Sequence, residues 1–179
     1  MQRRTLYKTF HIDTQLINSR GKLETMNLIE KWAADGVILV NMSSVSFNEA
    51  QADGDPGRTK KALAQIFTMT EADTNDPLYK KIEAALFPKG AQNKNQENDV
   101  KIVFEAAKYG AILITDDGAS KSQPGGILGN RDKLKGLVPI MSSREAVEFI
   151  HKEIQNRDDF NRRYVQEIGG ELPEWTGKD

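Results

Sequence analysis

Between residues 97 and 118 the chain commits itself to one local structure more firmly than anywhere else. Val100, Val103, Phe104 and Ala107 fall at i, i+3, i+4 and i+7, the stripe of a helix with one buried face, and Gly110 supplies the left-handed stop such a helix wants. Residues 111–114 follow as a short, nearly all-apolar run. Its length and its β-branched residues predict a strand covered on both faces, the environment of parallel sheets. Asp99 is placed in the first turn of the helix and Asp116-Asp117 just past the strand, at the end where open α/β sheets bind ligands. Any fold proposed for the chain must explain a helix-to-strand unit with carboxylates at both extremities.

The preceding sequence supplies neighbours for that unit. Residues 6–12 read as a first strand that delivers Asp13 at its tip, although Asp13 or Thr14 would equally serve to cap the next helix. A helix is predicted from Leu23 to a stop at Gly36, then a buried strand over 37–40. Strand, helix, strand implies a right-handed crossover and a parallel sheet. Ser43-Ser44 offers an N-cap for a helix carrying Glu49, which again starts at the carboxyl end of a strand. Residues 53–57 form a turn cluster, and two helices are expected over 60–68, burying Ala62, Ile66 and Phe67, and over 76–87, burying Leu78, Ile82, Ala85 and Leu86. Lys60-Lys61 and Lys80-Lys81 mark their solvent faces, and 89–96, without a large apolar residue, reads as a mobile loop leading to Asp99.

Beyond Asp117 the Gly-, Ser- and Pro-rich stretch 118–129 is a further loop at the same edge, 131–134 one helical turn and 137–140 a last short strand. Ser142 and Glu145 make a capping box that opens a helix with Val147, Ile150 and Ile154 on one face. Residues 156–179 are highly charged yet retain Phe160, Tyr164, Val165, Ile168 and Trp175, a final helix and tail either packed on the domain or used between chains. The expected fold class is therefore α/β: a central, mainly parallel sheet of four to five strands flanked by helices. It forms one domain over 1–155, with a helical section at 51–96, followed by the 156–179 extension.

Composition removes several function classes. With 25 basic against 26 acidic residues no global positive field advertises nucleic-acid binding. The absence of cysteine excludes disulfides, thiolate metal sites and cysteine nucleophiles, so any metal is held by oxygen or by His11 or His151. No apolar run approaches the ~20 residues of a membrane span and the start leads into no signal-type core, which places the chain in the cytoplasm.

If the strands ending near Asp13, Met42 and Thr115 are neighbours, Asp13, Glu49, Asp99 and Asp117 converge on one edge. Carboxylates gathered in one cleft repel one another, so without a cation at least one should have a raised pKa. Oxygen ligands suit Mg²⁺ or Mn²⁺ rather than Zn²⁺. The chemistry then open is in-line attack of water on a phosphodiester, with two ions ~4 Å apart stabilising attacking and leaving oxygens.

The order of Ile12-Asp13-Thr14, a glutamate in the helix after the second strand, Asp99 opening an alanine-containing helix, and Gly110-Ala111-Ile112-Leu113-Ile114-Thr115-Asp116-Asp117 resembles the PIN domain over roughly residues 5–150. Val138-Pro139-Ile140 and Glu145-Ala146 fit that family's ending. The resemblance implies a PIN-like three-layer fold and a Mg²⁺- or Mn²⁺-dependent ribonuclease or structure-specific nuclease acting on RNA or DNA. It also implies a homodimer and, among bacterial members, the toxin of a toxin–antitoxin pair with an antitoxin-like protein partner. Carried over, Asp13, Glu49, Asp99 and Asp117 are the acidic metal ligands and catalytic residues, with Thr115 and Asp116 supporting them. Gln15 stands where an asparagine is common, Gly118-Ala119-Ser120 replaces an aspartate and aromatic, and the chain is longer than the small toxins. These departures motivate a second reading, a catalytically inactive PIN-like module that binds nucleic acid or protein. A haloacid dehalogenase-like domain lacks support because Asp13 has no second acid two residues on, and a receiver-like domain because its pattern calls for an acidic pair in the first motif and a lysine after the last strand. The plainest alternative is that each acid only caps a helix or turn.

Overall fold

In the computed structural model, β1 (Thr9–Ile12), β2 (Leu39–Met42), β3 (Ile66–Phe67), β4 (Ile112–Ile114) and β5 (Ile140–Met141) form one sheet in the order β3-β2-β1-β4-β5. Every neighbouring pair is parallel. The structure describes residues 1–17, 20–52, 54–67, 72–118 and 125–179, of which 66 and 67 by their backbone alone. Helices α1 (Glu24–Ala34), α2 (Ser44–Ala52), α3 (Pro56–Leu63), α4 (Pro77–Leu86), α5 (Lys94–Lys108), α6 (Gly126–Gly129) and α7 (Ser143–Ile168) complete the fold, with 3₁₀ turns at Thr14–Leu16 and Arg131–Leu134. Among the described residues no helix is long and apolar enough to cross a membrane.

The central strands are buried on both faces, which is why their sequences are aliphatic rather than alternating. Phe10, Ile12, Met42 and Ile114 pack with Met26, Ile29 and Trp32 of α1 and with Ala146, Ile150 and Ile154 of α7. On the other side Leu113 and Ile140 pack with Tyr79 and Ile82 of α4 and with Val100, Val103 and Phe104 of α5. This makes helix, sheet and helix layers, the α/β class expected from the sequence.

Local structure departs from expectation where pairing or capping outweighs hydropathy. Val37 and Ile38 are 0 % and 1 % exposed, yet the ladder of β2 begins only at Leu39, opposite Thr9. The aliphatic run thus signals burial, while the partner strand sets the register. β1 likewise starts at Thr9 rather than at residue 6, because Tyr7 breaks the extended run with a φ of 52°. The helix expected over 60–68 ends at Leu63, and Ile66–Phe67 turn into the outer strand against Asn41 and Met42; Thr68 lies outside the described residues. Part of the turn cluster at 53–57 is the start of α3, capped by the Asp55 carboxylate on the N–H groups of Gly57 and Arg58, and Asp53 lies outside the described residues. The final strand is displaced from 137–140 to Ile140–Met141.

The last three residues of the expected loop at 89–96 are helical. Asn93 caps α5 by accepting from Gln96 N–H, so the helix begins at Lys94 and Asp99 falls in its second turn, not its first. A capped first turn facing solvent needs no apolar residue, so it leaves no periodic signal. At the other end Gly110 adopts φ 61°, the left-handed stop expected. In the loop expected at 118–129, residues 126–129 form α6, while 119–124 lie outside the described residues.

The capping box is present. Ser142 Oγ accepts from Glu145 N–H and the Glu145 carboxylate accepts from Ser142 N–H at 2.9 Å. Ser142→Ala is expected to cost about 1 kcal/mol, read as a lower urea midpoint at unchanged slope. The helix it opens runs unbroken through residues 155 and 156 to Ile168, so the 156–179 extension begins as the same helix that closes the domain.

Candidate functional site

The carboxyl ends of β2, β1 and β4 lie side by side, and the acids carried there meet because of that adjacency. Asp13 follows β1, Asp117 follows β4 after a short link, and Glu49 sits on α2, which leaves the tip of β2. These three, with Thr14, Gln15 and Arg58, line a cleft of about 520 Å³. Asp99 approaches from α5, close enough to feel the charges of all three.

Asp13 is 7 % exposed. Its carboxylate accepts from Thr115 Oγ1 at 2.7 Å, from Thr14 N–H at 2.6 Å and from the Gln15 side-chain amide at 3.3 Å. Burial raises its pKa, the Thr115 and Thr14 hydrogen bonds oppose that, and Asp117 and Glu49 add to it. Thr115, fully buried, is the hub: its oxygen also accepts from Gln15 Nε2 at 3.0 Å and from Asp117 N–H at 3.1 Å. The Gln15 amide thus reaches the same two groups from its longer stem.

Glu49 accepts from Thr14 Oγ1 at 2.5 Å and from Asn98 Nδ2 at 2.6 Å. Asp117 accepts from Ile127 N–H at 2.9 Å, and its own carbonyl accepts from Leu128 N–H, so it also holds the start of α6. A Cβ at Gly126, which has φ 68°, would overlap the Asp117 carboxylate. Among the described residues nothing hydrogen-bonds the Asp99 carboxyl, and it is pushed up to about 7 by burial first and then by the charges of Asp117, Asp13 and Glu49.

The fifth acid stands apart. Asp116 accepts from Ser143 N–H and Ser143 Oγ, both at 2.8 Å, so it caps α7 and does not face the cleft. For Asp116 the plain capping role is the observed one. Neither histidine joins the acids: His11 is buried beside Tyr109, with its ring pushed down to about 4 by burial, and His151 lies on α7 near Trp32.

Three residues escaped the sequence reading. Asn98 bridges α5 to Glu49, Arg58 donates to the Thr14 carbonyl at 2.6 Å within the cleft, and Glu105, 1 % exposed, accepts from Ser44 N–H and Oγ at 3.1 and 2.9 Å. That last link ties the amino end of α2 to α5 and thereby fixes Glu49 relative to Asp99. Glu105 sits among the apolar residues of the α5 stripe; an acid there, paired with a serine-rich helix start elsewhere, was the available signal.

The donors present are hard carboxylate oxygens, the set that suits Mg²⁺ or Mn²⁺. A cation would also relieve the like-charge crowding seen at Asp99. As placed, however, the oxygens of Asp13, Glu49 and Asp117 turn to protein N–H and O–H groups. Among the described residues no three His, Cys, Asp or Glu side chains stand where they could hold a metal ion together. Ligation therefore requires Glu49 and Asp117 to exchange neutral hydrogen-bond donors for the cation.

No family model matches the sequence, and no curated protein matches it. Among solved structures, the crystal structure of VapBC2 from Rickettsia felis bound to a DNA fragment from their promoter is similar at 16 % identity and a TM-score of 0.48, over 75 % of this chain and 98 % of that one. A likeness this distant says nothing of function.

Proposed function

We propose that the chain is a Mg²⁺- or Mn²⁺-dependent ribonuclease of the PIN-like kind. The observation that carries this reading is the meeting of Asp13, Glu49 and Asp117 along one cleft at the carboxyl edge of three adjacent parallel strands, with Asp99 beside them. Asp13, Glu49, Asp99 and Asp117 are the residues that would hold the cation. Thr115 orients Asp13 through its hydroxyl, and Arg58 places a permanently charged guanidinium in the cleft, suited to a phosphate. A bound divalent cation supplies Lewis-acid stabilisation of the charge that builds on a phosphodiester during hydrolysis. RNA is the substrate, with DNA the other choice, and the resemblance of the sequence to PIN domains suits a cytoplasmic toxin held by an antitoxin-like protein.

With structured and single-stranded RNA and Mn²⁺, cleavage is expected for the native chain and a fall of about 100-fold for Asp99→Asn and for Asp117→Asn. Cleavage that survives both substitutions refutes the assignment.

One observation favours a second reading, a PIN-like binding module without catalysis: the carboxylates of Asp13, Glu49 and Asp117 are satisfied by protein donors, and no three of the described acids are arranged for a metal. Calorimetric titration with Mn²⁺ separates the two. An inactive module gives no heat that depends on Asp99 and Asp117.

A further inference from the structure

Two polar links join α2 to α5, and they differ in kind. At the amino end of α2, Ser44 N–H and Oγ donate to the Glu105 carboxylate at 3.1 and 2.9 Å, and Glu105 is 1 % exposed. Further along α2 and further back along α5, Asn98 Nδ2 donates to Glu49 Oε1 at 2.6 Å, where both residues are half-buried. The two helices therefore run in opposite directions, tied at two points. The buried link grips the backbone of α2, whereas the outer one grips a side chain. Glu49 can thus be released without moving its helix.

Both Glu49 oxygens are taken, Oε1 by Asn98 and Oε2 by Thr14 Oγ1 at 2.5 Å. The two donors answer a cation differently. A hydroxyl can turn its hydrogen away and present a lone pair, so Thr14 is compatible with a cation at Oε2. The Asn98 amide nitrogen carries two hydrogens and accepts nothing, and its orientation follows from the carboxylate oxygen opposite, which can only accept. Asn98 therefore competes with a cation for Oε1. Asparagine is also a poor helix former inside α5, where alanine would serve the helix better, and the bond to Glu49 is the work this side chain is seen to do.

We propose that Asn98 is a clamp that holds Glu49 against release to a divalent cation, so that its amide sets the free-cation concentration at which the cleft loads. The inference rests on the acidic cleft being the metal site proposed above. Asn98 is a positioning residue in that scheme, acting through Glu49 and touching neither cation nor substrate. A hydrogen bond to a charged group is worth about ten-fold or more in an equilibrium constant, which is the scale of the competition. Asn98→Ala removes the clamp and adds no group able to ligate.

Calorimetric titration of the full chain with Mn²⁺ tests it. Asn98→Ala is expected to bind Mn²⁺ about ten-fold more tightly than the native chain, with circular dichroism unchanged because alanine is the better helix former at that position. Asn95→Ala, at an exposed position in the first turn of the same helix, is the control and should leave the affinity where it was. A side chain that merely supported the fold, or that oriented Glu49 for ligation, would give the opposite sign on removal. Unchanged or weaker binding by Asn98→Ala, with heat that still depends on Asp99 and Asp117, overturns the clamp and leaves the metal site standing. An equal gain for Asn95→Ala traces the effect to helix propensity and overturns the clamp too. Heat that depends on those acids in Asn98→Ala but not in the native chain supports it. No such heat in either protein overturns the metal site and the clamp together.

Discussion

Arg157→Ala is expected to cost about 3–5 kcal/mol, the largest stability loss anticipated for a single side chain of this protein. The Arg157 side chain is 1 % exposed and donates to Asp158 Oδ1, to Asp179 Oδ2 at 2.9 Å and to the Arg4 carbonyl, with the Trp175 ring over its guanidinium. Asp158 and Asp179 are buried to 4 % and 0 % side-chain exposure. Truncating the arginine leaves Asp158 with the Gly177 N–H and Asp179 with Arg4, and a negative charge without a buried counter-charge. The penalty is the desolvation of that charge, not the loss of the pair's own attraction. Calorimetry should show a melting temperature lower by about 10 °C. Arg144→Ala is the control: its partner Glu148 and itself are 67 % and 85 % exposed, and water already screens the pair, so less than about 0.5 kcal/mol should change. Equal effects at the two positions would refute the account.

Asp99→Asn is expected to stabilise the metal-free protein at pH 8 by about 2 kcal/mol. In the fold the Asp99 carboxyl is pushed up to about 7 from the usual 3.8, by burial and by the three neighbouring acids. The folded state therefore keeps a proton that the unfolded chain has already lost, and stability falls as pH rises from about 4 to about 7. Above that range the penalty is fully present; below about 4 both states are protonated and it vanishes. The gap corresponds to roughly 2 kcal/mol once solvent screening of a partly open group is allowed for. Asparagine cannot ionise, so the gain should appear at about pH 8 and fade below about pH 4 in paired melting curves. Adding Mn²⁺ should reverse the ranking, because a cation offsets the crowding only where the carboxylates remain. Identical pH profiles for the two proteins would show that Asp99 is not crowded at all.

The two results probe different parts of the molecule, and the parts differ in how far the sequence announces them. The stripe Val100, Val103, Phe104 and the stop at Gly110 were legible because helix periodicity and left-handed glycine are local properties. So were the capping box of α7 and the aliphatic runs that mark buried strands. From strand–helix–strand order alone, a parallel sheet followed. The acids of the cleft were legible as a set for the same reason: each sits at a strand tip or on a helix leaving one, so the topology carries them to one edge.

What the sequence by itself determined is which segments are helical or buried and that a parallel sheet gathers Asp13, Glu49 and Asp117. Only the tertiary structure decided the rest. The register of β2 is set by Thr9 opposite Leu39, and the strand at Ile66–Phe67 by the backbone groups that β2 leaves open. Asp116 and Asp117, adjacent in sequence, part ways because one faces the α7 amino terminus and the other the cleft. Pairing and capping depend on the group brought opposite by the rest of the chain, and no window of residues contains that partner.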